Sequence, residues 1–127
     1  MAKEIVATTL APAAIGPYSQ AVRVGEFVFL SGQIALDPAT GEMVGETAAE
    51  QAERVMENIG AVLAAAGLAF SQVVKSTIYL TELADFAAVN QVYGRRFPAE
   101  PPARATVGVR ELPRGAKVEI EVIASAC

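Results

Sequence analysis

The 127-residue sequence contains no histidine, no tryptophan and a single cysteine, Cys127, which is its last residue. The lack of histidine excludes histidine-dependent catalytic triads and zinc sites built from cysteine and histidine. A single cysteine excludes an intrachain disulfide and a redox-active cysteine pair. No spaced cluster of acidic residues suggests a calcium or magnesium site. Any catalysis therefore depends on carboxylates, arginines, lysines, hydroxyls and backbone amides, and we expect no metal and no cofactor.

Basic residues are scarce, since 10 lysines and arginines against 14 aspartates and glutamates give a net charge of −4. Nucleic-acid-binding surfaces are usually basic, so we expect no nucleic-acid partner. No apolar run approaches the ~20 residues that cross a bilayer, and residues 1–10 lack the pattern of a signal peptide. We therefore expect a cytoplasmic protein that has no membrane partner and acts on a small molecule.

The chain has no internal repeat and no linker, which indicates a single domain over residues 1–127. Its polar and apolar patterns predict a hairpin, two helices and three further strands. A capping box of Thr47 and Glu50 marks the start of the first helix, and Gly67 marks its end. The predicted ranges are a hairpin at 21–36, helices at 47–67 and about 85–97, and strands at 73–80, 103–109 and 117–125.

This order of elements predicts that both helices pack on the same face of one sheet. Residues 27–32 are largely apolar on both sides of their strand, so the helices leave one apolar face uncovered. Such a face is typical of an oligomer interface, and we predict a homo-oligomer. In the last strand, Glu119 and Glu121 share the face that is not covered by helices. We expect Arg104, on a neighbouring strand, to point toward that acidic side.

Several separated segments carry a more specific signal: IGPYSQA (15–21), LSGQI (30–34), IYLTEL (78–83), FAAVNQVY (86–93), PPARATV (101–107) and KVEIEVIA (117–124). Over almost the whole chain, they resemble the reactive intermediate deaminases, also called the RidA or YjgF-like family. The resemblance implies an α+β, chorismate-mutase-like fold with a mixed sheet, two helices on one face and a homotrimer formed through the other. It also implies cofactor-independent hydrolysis of 2-imino acids, such as 2-iminobutanoate and 2-iminopropanoate, to 2-keto acids and ammonia between subunits.

The resemblance also implies roles for individual residues, by their positions in the motifs. The implied catalytic residues are Arg104 on the substrate carboxylate, Glu119 near the water and Tyr18 in the pocket; the implied substrate-binding residues are Ser31, Gly32, Asn90 and Thr106. Thr106 departs from the family pattern, since many members have cysteine two residues after the arginine. Because the family's contact there is largely through the backbone amide, we expect activity to survive this change.

Most of these residues are also explained by a structural role. From the residues alone, an ion pair with Glu119 or Glu121 explains Arg104 equally well. Either of those carboxylates is also suited to orient or deprotonate the water. Tyr18 would then anchor an interface, while Ser31 would hydrogen-bond the backbone and Asn90 would form a structural hydrogen bond. A second possible function is that of a regulatory module that binds a small carboxylate or a protein without turnover. A nucleolytic role fits an acidic chain without histidine least well.

Overall fold

The computed structural model describes residues 2–127 and shows an α+β fold in which one six-stranded mixed sheet carries two helices. The strands are β1 (Glu4–Val6), β2 (Ala21–Val24), β3 (Phe27–Leu30), β4 (Val73–Leu80), β5 (Ala103–Gly108) and β6 (Val118–Ser125); the helices are α1 (Ala48–Ala65) and α2 (Phe86–Gly94). The order across the sheet is β1-β2-β3-β6-β4-β5. β4 and β5 are parallel, whereas the other neighbours are antiparallel. The predicted fold class, with both helices on one face, is confirmed.

β6 shows how the sheet divides the molecule into two sides, because its residues alternate between buried and partly exposed. The buried residues lie beneath the helices and are Val118, Ile120, Val122 and Ala124. Glu119 and Glu121 lie on the other side, as the alternation in the sequence predicts. We call the side under the helices the helix face and the other side the open face.

The open face is apolar toward the β1 end of the sheet. Cross-strand partners place Ile5, Val24, Phe27 and Phe29 on this face, and all four are exposed. Phe27 and Phe29 keep 46% and 45% of their surface exposed, whereas Val28 between them is fully buried under the helices. The predicted uncovered apolar face is therefore present, while the subunit that would cover it stays a prediction.

α1 begins where its capping box predicts. The Glu50 N–H donates to Thr47 Oγ1 at 3.1 Å, and the Thr47 N–H donates to Glu50 Oε1 at 3.1 Å. The backbone N–H groups of Glu46 and Thr47 both donate to the Glu50 carboxylate and lower its pKa, because they favour the charged form. The helix ends at Ala65, and Gly67 follows with the positive φ of 76° that glycine adopts most easily.

Two buried side-chain amides of α1 hydrogen-bond to the chain that follows β3 and to the residue before β6, two segments that line the candidate site. Gln51 Oε1 accepts a hydrogen bond from the Lys117 N–H at 2.8 Å, just before β6. Asn58 donates from Nδ2 to the carbonyls of Ile34 and Leu36, at 3.3 and 3.0 Å. The helix therefore fixes both the start of β6 and the chain that follows β3.

α2 is shorter than predicted, because it ends at Gly94 rather than near Phe97. The N–H groups of Arg96 and Phe97 bond to carbonyls three residues earlier, at 3.2 and 3.0 Å, which tightens the last turn. Pro98 disfavours a helical conformation at the residue before it, so the helix does not continue.

The N-terminal part of the sheet also differs from the prediction. β3 ends at Leu30, so the second hairpin strand stops well before residue 36. Beyond β3, only isolated bridges continue the pairing, one of them between Gln33 and Ile120. β1 was not predicted at all, since three residues are too few to show a period-two pattern.

Candidate active site

Tyr18, Ser31, Gly32 and Glu119 line one cavity of about 710 Å³. The bridge between Gln33 and Ile120 brings the chain after β3 against β6. Its two hydrogen bonds are Gln33 N–H to Ile120 O at 2.9 Å and Ile120 N–H to Gln33 O at 3.2 Å. Next to this bridge, Gly32 lies against the side chain of Glu119.

Gly32 leaves the space that the Glu119 side chain occupies. A Cβ added at Gly32 would overlap the Glu119 carboxylate, and the three atoms nearest to it all belong to the Glu119 side chain. The φ of Gly32 lies outside the left-handed region, so alanine fits its backbone. The absence of a side chain here therefore serves the placement of Glu119 and not the local conformation.

We expect Gly32→Ala to lower kcat/KM for the reaction proposed below by roughly a hundredfold, because misplacing a reacting group by about 1 Å costs that much. The variant should keep its circular dichroism spectrum. In a Glu119→Ala background, where the carboxylate is already missing, the same glycine substitution should cost little more. A full additional loss in that background would contradict the displacement of Glu119.

The environment of Glu119 differs from that of Glu121, although both lie on the open face. Burial raises the pKa of Glu119, and the negative charge of Glu121 raises it further. Glu121 instead accepts a hydrogen bond from the Tyr79 hydroxyl, and it does not line the cavity. Glu119 is therefore the carboxylate that faces the cavity.

The loop that carries Tyr18 is held by Gln20. This residue lies in the IGPYSQA segment, but the resemblance assigns it no role. Gln20 is buried, accepts from the Thr8 N–H at 2.7 Å and donates to the carbonyl of Pro12 at 2.7 Å. Ser31 Oγ donates to the Ser19 carbonyl at 2.6 Å, so its hydroxyl has the structural partner that the sequence left open. Tyr18 stays 53% exposed at the rim of the cavity.

Arg104 lies elsewhere, on the helix face of β5. Its cross-strand partner is Ser76, which is fully buried beneath the helices, whereas Glu119 pairs with Tyr79 on the open face. The expectation that Arg104 points toward the acidic side is therefore wrong, because the register of β5 against β4 gives it the opposite side. The same placement excludes an ion pair between Arg104 and either Glu119 or Glu121 of its own chain.

The Arg104 guanidinium meets α2 instead. Nη1 donates to Asn90 Oδ1 at 2.7 Å, and the guanidinium carbon lies 5.1 Å from the Tyr93 ring centre and 5.4 Å from that of Phe86. A second cavity, of about 380 Å³, is lined by Arg104, Asn90 and Tyr93 together with Pro101 and Pro102. No carboxylate within residues 2–127 forms a salt bridge with Arg104. Its positive charge is available to an anion from outside the chain.

Thr106 also lies on the helix face, in register with Ile78. Its Oγ1 atom is buried and has no hydrogen-bond partner among residues 2–127. An unsatisfied buried hydroxyl destabilises the fold, because its hydrogen bond to water is lost without replacement. Because its Oγ1 atom is buried, Thr106 presents no hydroxyl oxygen to a molecule outside the chain.

We expect Thr106→Val to raise the free energy of unfolding by about 1 kcal/mol, because valine keeps the shape and removes the unpaired hydroxyl. Urea denaturation at one fixed protein concentration measures this change. Thr106→Ser, which keeps the hydroxyl, should show no such gain. A loss of stability in the valine variant would mean that the hydroxyl does have a partner.

One chain thus carries two separated groups: a cavity with a carboxylate on one side of the sheet, and an unpaired guanidinium on the other. Sequence reasoning missed Phe86 and Tyr93 as contacts of Arg104, and it missed Pro113 and Arg114 in the wall of the larger cavity. The two aromatic residues are the first and last residues of the FAAVNQVY segment (86–93), to which the resemblance assigns no role except at Asn90. Within residues 2–127, no cluster of three or more potential metal ligands occurs. No helix in that range is both long and apolar enough to span a bilayer.

Comparison with known proteins identifies the family and supports the fold. The family described as Endoribonuclease L-PSP matches residues 8–126. Protein DfrA of Myxococcus xanthus is 64% identical over 98% of this chain and 96% of its own. The 2-iminobutanoate/2-iminopropanoate deaminase of Mus musculus is 48% identical over 96% of this chain and 90% of its own. The crystal structure of YyfA from Yersinia pestis, a protein of unknown function of the conserved Rid family, superposes with a TM-score of 0.95 at 45% identity, covering 98% of this chain and 99% of that one. The chain therefore belongs to the Endoribonuclease L-PSP family, the reactive intermediate deaminases that its motifs resemble.

Proposed function

We propose that the protein hydrolyses 2-imino acids, such as 2-iminobutanoate and 2-iminopropanoate, to 2-keto acids and ammonia. The name of the mouse relative supports this substrate class. The observation that carries the proposal is the half-buried Glu119 carboxylate, which lies in a cavity against Gly32 and has a raised pKa. A general base works best when its pKa is moved toward the working pH. We further propose that the protein clears such imines in the cytoplasm.

The proposed reaction needs only the groups that this chain provides. The Arg104 guanidinium binds the substrate carboxylate through two parallel hydrogen bonds and fixes its orientation. Water adds to the imine carbon of the protonated imine while Glu119 accepts a proton from that water. The proton then returns from Glu119 to the nitrogen of the resulting carbinolamine, the carbon–nitrogen bond breaks to release ammonia, and the hydroxyl proton passes to the Glu119 carboxylate as the carbonyl forms. The oxygen of the water becomes the carbonyl oxygen of the 2-keto acid.

This mechanism requires two copies of the chain, because Arg104 and Glu119 lie on opposite faces of one sheet. We propose that the chains form a homotrimer through their open faces, with Arg104 of one subunit beside the Glu119 cavity of the next. The exposed Phe27 and Phe29 support burial of this face, and closed cyclic symmetry repeats one contact three times. Light scattering that shows a monomer at micromolar concentration would contradict the assembly.

The proposed activity is tested by generating an imine in the cuvette with an amino-acid oxidase or a threonine dehydratase. We expect added protein to accelerate release of the 2-keto acid, and to do so equally with EDTA present. If keto-acid release is unchanged, the protein is a binding module rather than a deaminase. If EDTA abolishes the acceleration and a divalent ion restores it, the reaction depends on a metal.

The raised pKa of Glu119 predicts a particular pH profile. A base must be deprotonated to act, so kcat/KM should fall in acid with a midpoint above the ordinary glutamate value of 4.5. Glu121→Gln removes the negative charge that helps to raise this pKa, so the acid limb should move to lower pH. The glutamine oxygen still accepts the Tyr79 hydrogen bond, which keeps the local structure. An acid limb that stays in place or moves upward would contradict the assignment of Glu119.

A further inference from the structure

We propose that Phe86 and Tyr93 form an aromatic clamp that positions the Arg104 guanidinium for the substrate carboxylate. This inference rests on the proposed function, since it assigns the purpose of Arg104 to carboxylate binding. The aromatic clamp is defined by these two residues, both on α2, whose rings lie 5.4 and 5.1 Å from the guanidinium carbon. Both distances lie within the roughly 6 Å range of a cation–π contact.

The clamp holds the guanidinium without using up its hydrogen-bond donors. Arginine has five N–H donors, and the only side chain among residues 2–127 that accepts one from Arg104 is Asn90. Contacts with ring faces restrict the guanidinium plane while leaving N–H groups free for a bidentate carboxylate. A carboxylate partner in place of the rings would occupy the same fork that the substrate needs.

Tyr93 is fixed independently of Arg104. It is 4% exposed, its hydroxyl donates to Ser76 Oγ at 2.9 Å, and its ring lies 4.8 Å from that of Phe97. Ser76 is itself fully buried and is the cross-strand partner of Arg104. The inner ring of the clamp is therefore anchored to the strand beside Arg104.

Phe86 is the outer ring, and its position is otherwise unexplained. Phenylalanine is among the residues most often fully buried, yet Phe86 is 37% exposed at the first position of α2. Arg104 also lies exposed, on the edge strand β5, where a long side chain is free to sample many rotamers. Ordering such a side chain opposes binding, so a ring that restricts it beforehand favours the bound state.

The test separates positioning from packing. Phe86→Leu keeps an apolar side chain and removes the ring, and we expect KM for the imine to rise about three- to tenfold while kcat changes less than about twofold. Phe86→Tyr keeps the ring and should retain the wild-type KM. In an Arg104→Ala background, Phe86→Leu should have no further effect on KM, because a positioning residue acts through the group that it positions.

Each result decides between the two roles. An unchanged KM in Phe86→Leu, or an equal rise in the Arg104→Ala background, would overturn the inference. A matching fall in melting temperature that Phe86→Tyr does not rescue would also overturn it. Calorimetric binding of 2-oxobutanoate, the keto acid of the proposed reaction, provides a readout without turnover. If the wild type hydrolyses no imine, the proposed function fails, whereas weaker 2-oxobutanoate binding in Phe86→Leu would still support the clamp.

Discussion

Replacing Arg104 with lysine is expected to lower kcat/KM for imine hydrolysis by roughly thirty- to a thousandfold, equivalent to about 2–4 kcal/mol. Lysine keeps the positive charge, but it replaces the planar fork of donors with one rotatable ammonium group. It also loses the flat surface that lies between Phe86 and Tyr93. The substrate carboxylate would then be attracted but not oriented.

Arg95→Lys is the matched control for this substitution. Arg95 is exposed and forms a salt bridge with Glu53 at 2.5 Å, and exposed pairs of this kind contribute less than about 1 kcal/mol. Both variants should keep the oligomer mass and the circular dichroism spectrum of the wild type. Near-normal turnover in Arg104→Lys would show that Arg104 does not bind the carboxylate, and a dissociated or unfolded variant would show that its role is structural.

Glu119→Gln is expected to lower kcat by about 10²- to 10⁴-fold, the usual contribution of a general acid–base group. Glutamine has nearly the same shape but does not accept a proton from water. The activity that remains should lose the acid limb of the pH profile, because the titrating base is gone. The measurement is kcat across a pH series for wild type and variant.

Glu121→Gln is the control for Glu119→Gln, because it removes the neighbouring charge on the same face of β6. It should keep most of the wild-type kcat. The free energy of unfolding should not fall in Glu119→Gln. The pKa of Glu119 is raised in the folded state, so at pH values where the carboxylate is charged that charge destabilises the fold, and glutamine removes it. If Glu121→Gln is the more damaging change, the roles of the two carboxylates are reversed.

The elements that the sequence predicts well are those with strong local signals. α1 begins at its capping box, β4 spans 73–80 as its alternation indicates, and β6 alternates over eight residues between the two faces. Each of these patterns repeats often enough, or ends at a sufficiently distinct residue, to fix the element without knowledge of its neighbours. The two-layer fold follows from them.

The face on which Arg104 lies could not be predicted in the same way. Small or polar residues alternate in β5, with Ala103 and Ala105 on one side and Arg104 and Thr106 on the other. The alanines, together with Val107, form the more apolar set, so the pattern of the strand alone would turn them toward the helices and Arg104 away from them. The orientation is set by the pairing with β4, a contact between distant parts of the chain.

The candidate site was predicted in part. The motifs identify Tyr18, Ser31, Gly32 and Glu119, which the fold brings to one cavity, although their roles stay predictions. The separation of Arg104 from that cavity is a property of sheet register, and it becomes visible only when the strands are paired. Because the pairing puts Arg104 and Glu119 on opposite faces of the sheet, a site that uses both residues requires two chains.

The central claim is that the site combines Arg104 of one subunit with Glu119 of another, and mixed oligomers test it directly. Arg104→Ala and Glu119→Gln chains, each nearly inactive alone, are co-expressed in equal amounts and assayed with the imine. Random assembly should give about one site in four with both residues intact, and hence about a quarter of wild-type activity. If both residues came from the same chain, every site would carry one defect. Activity of the mixture no higher than that of the separate variants would contradict the account.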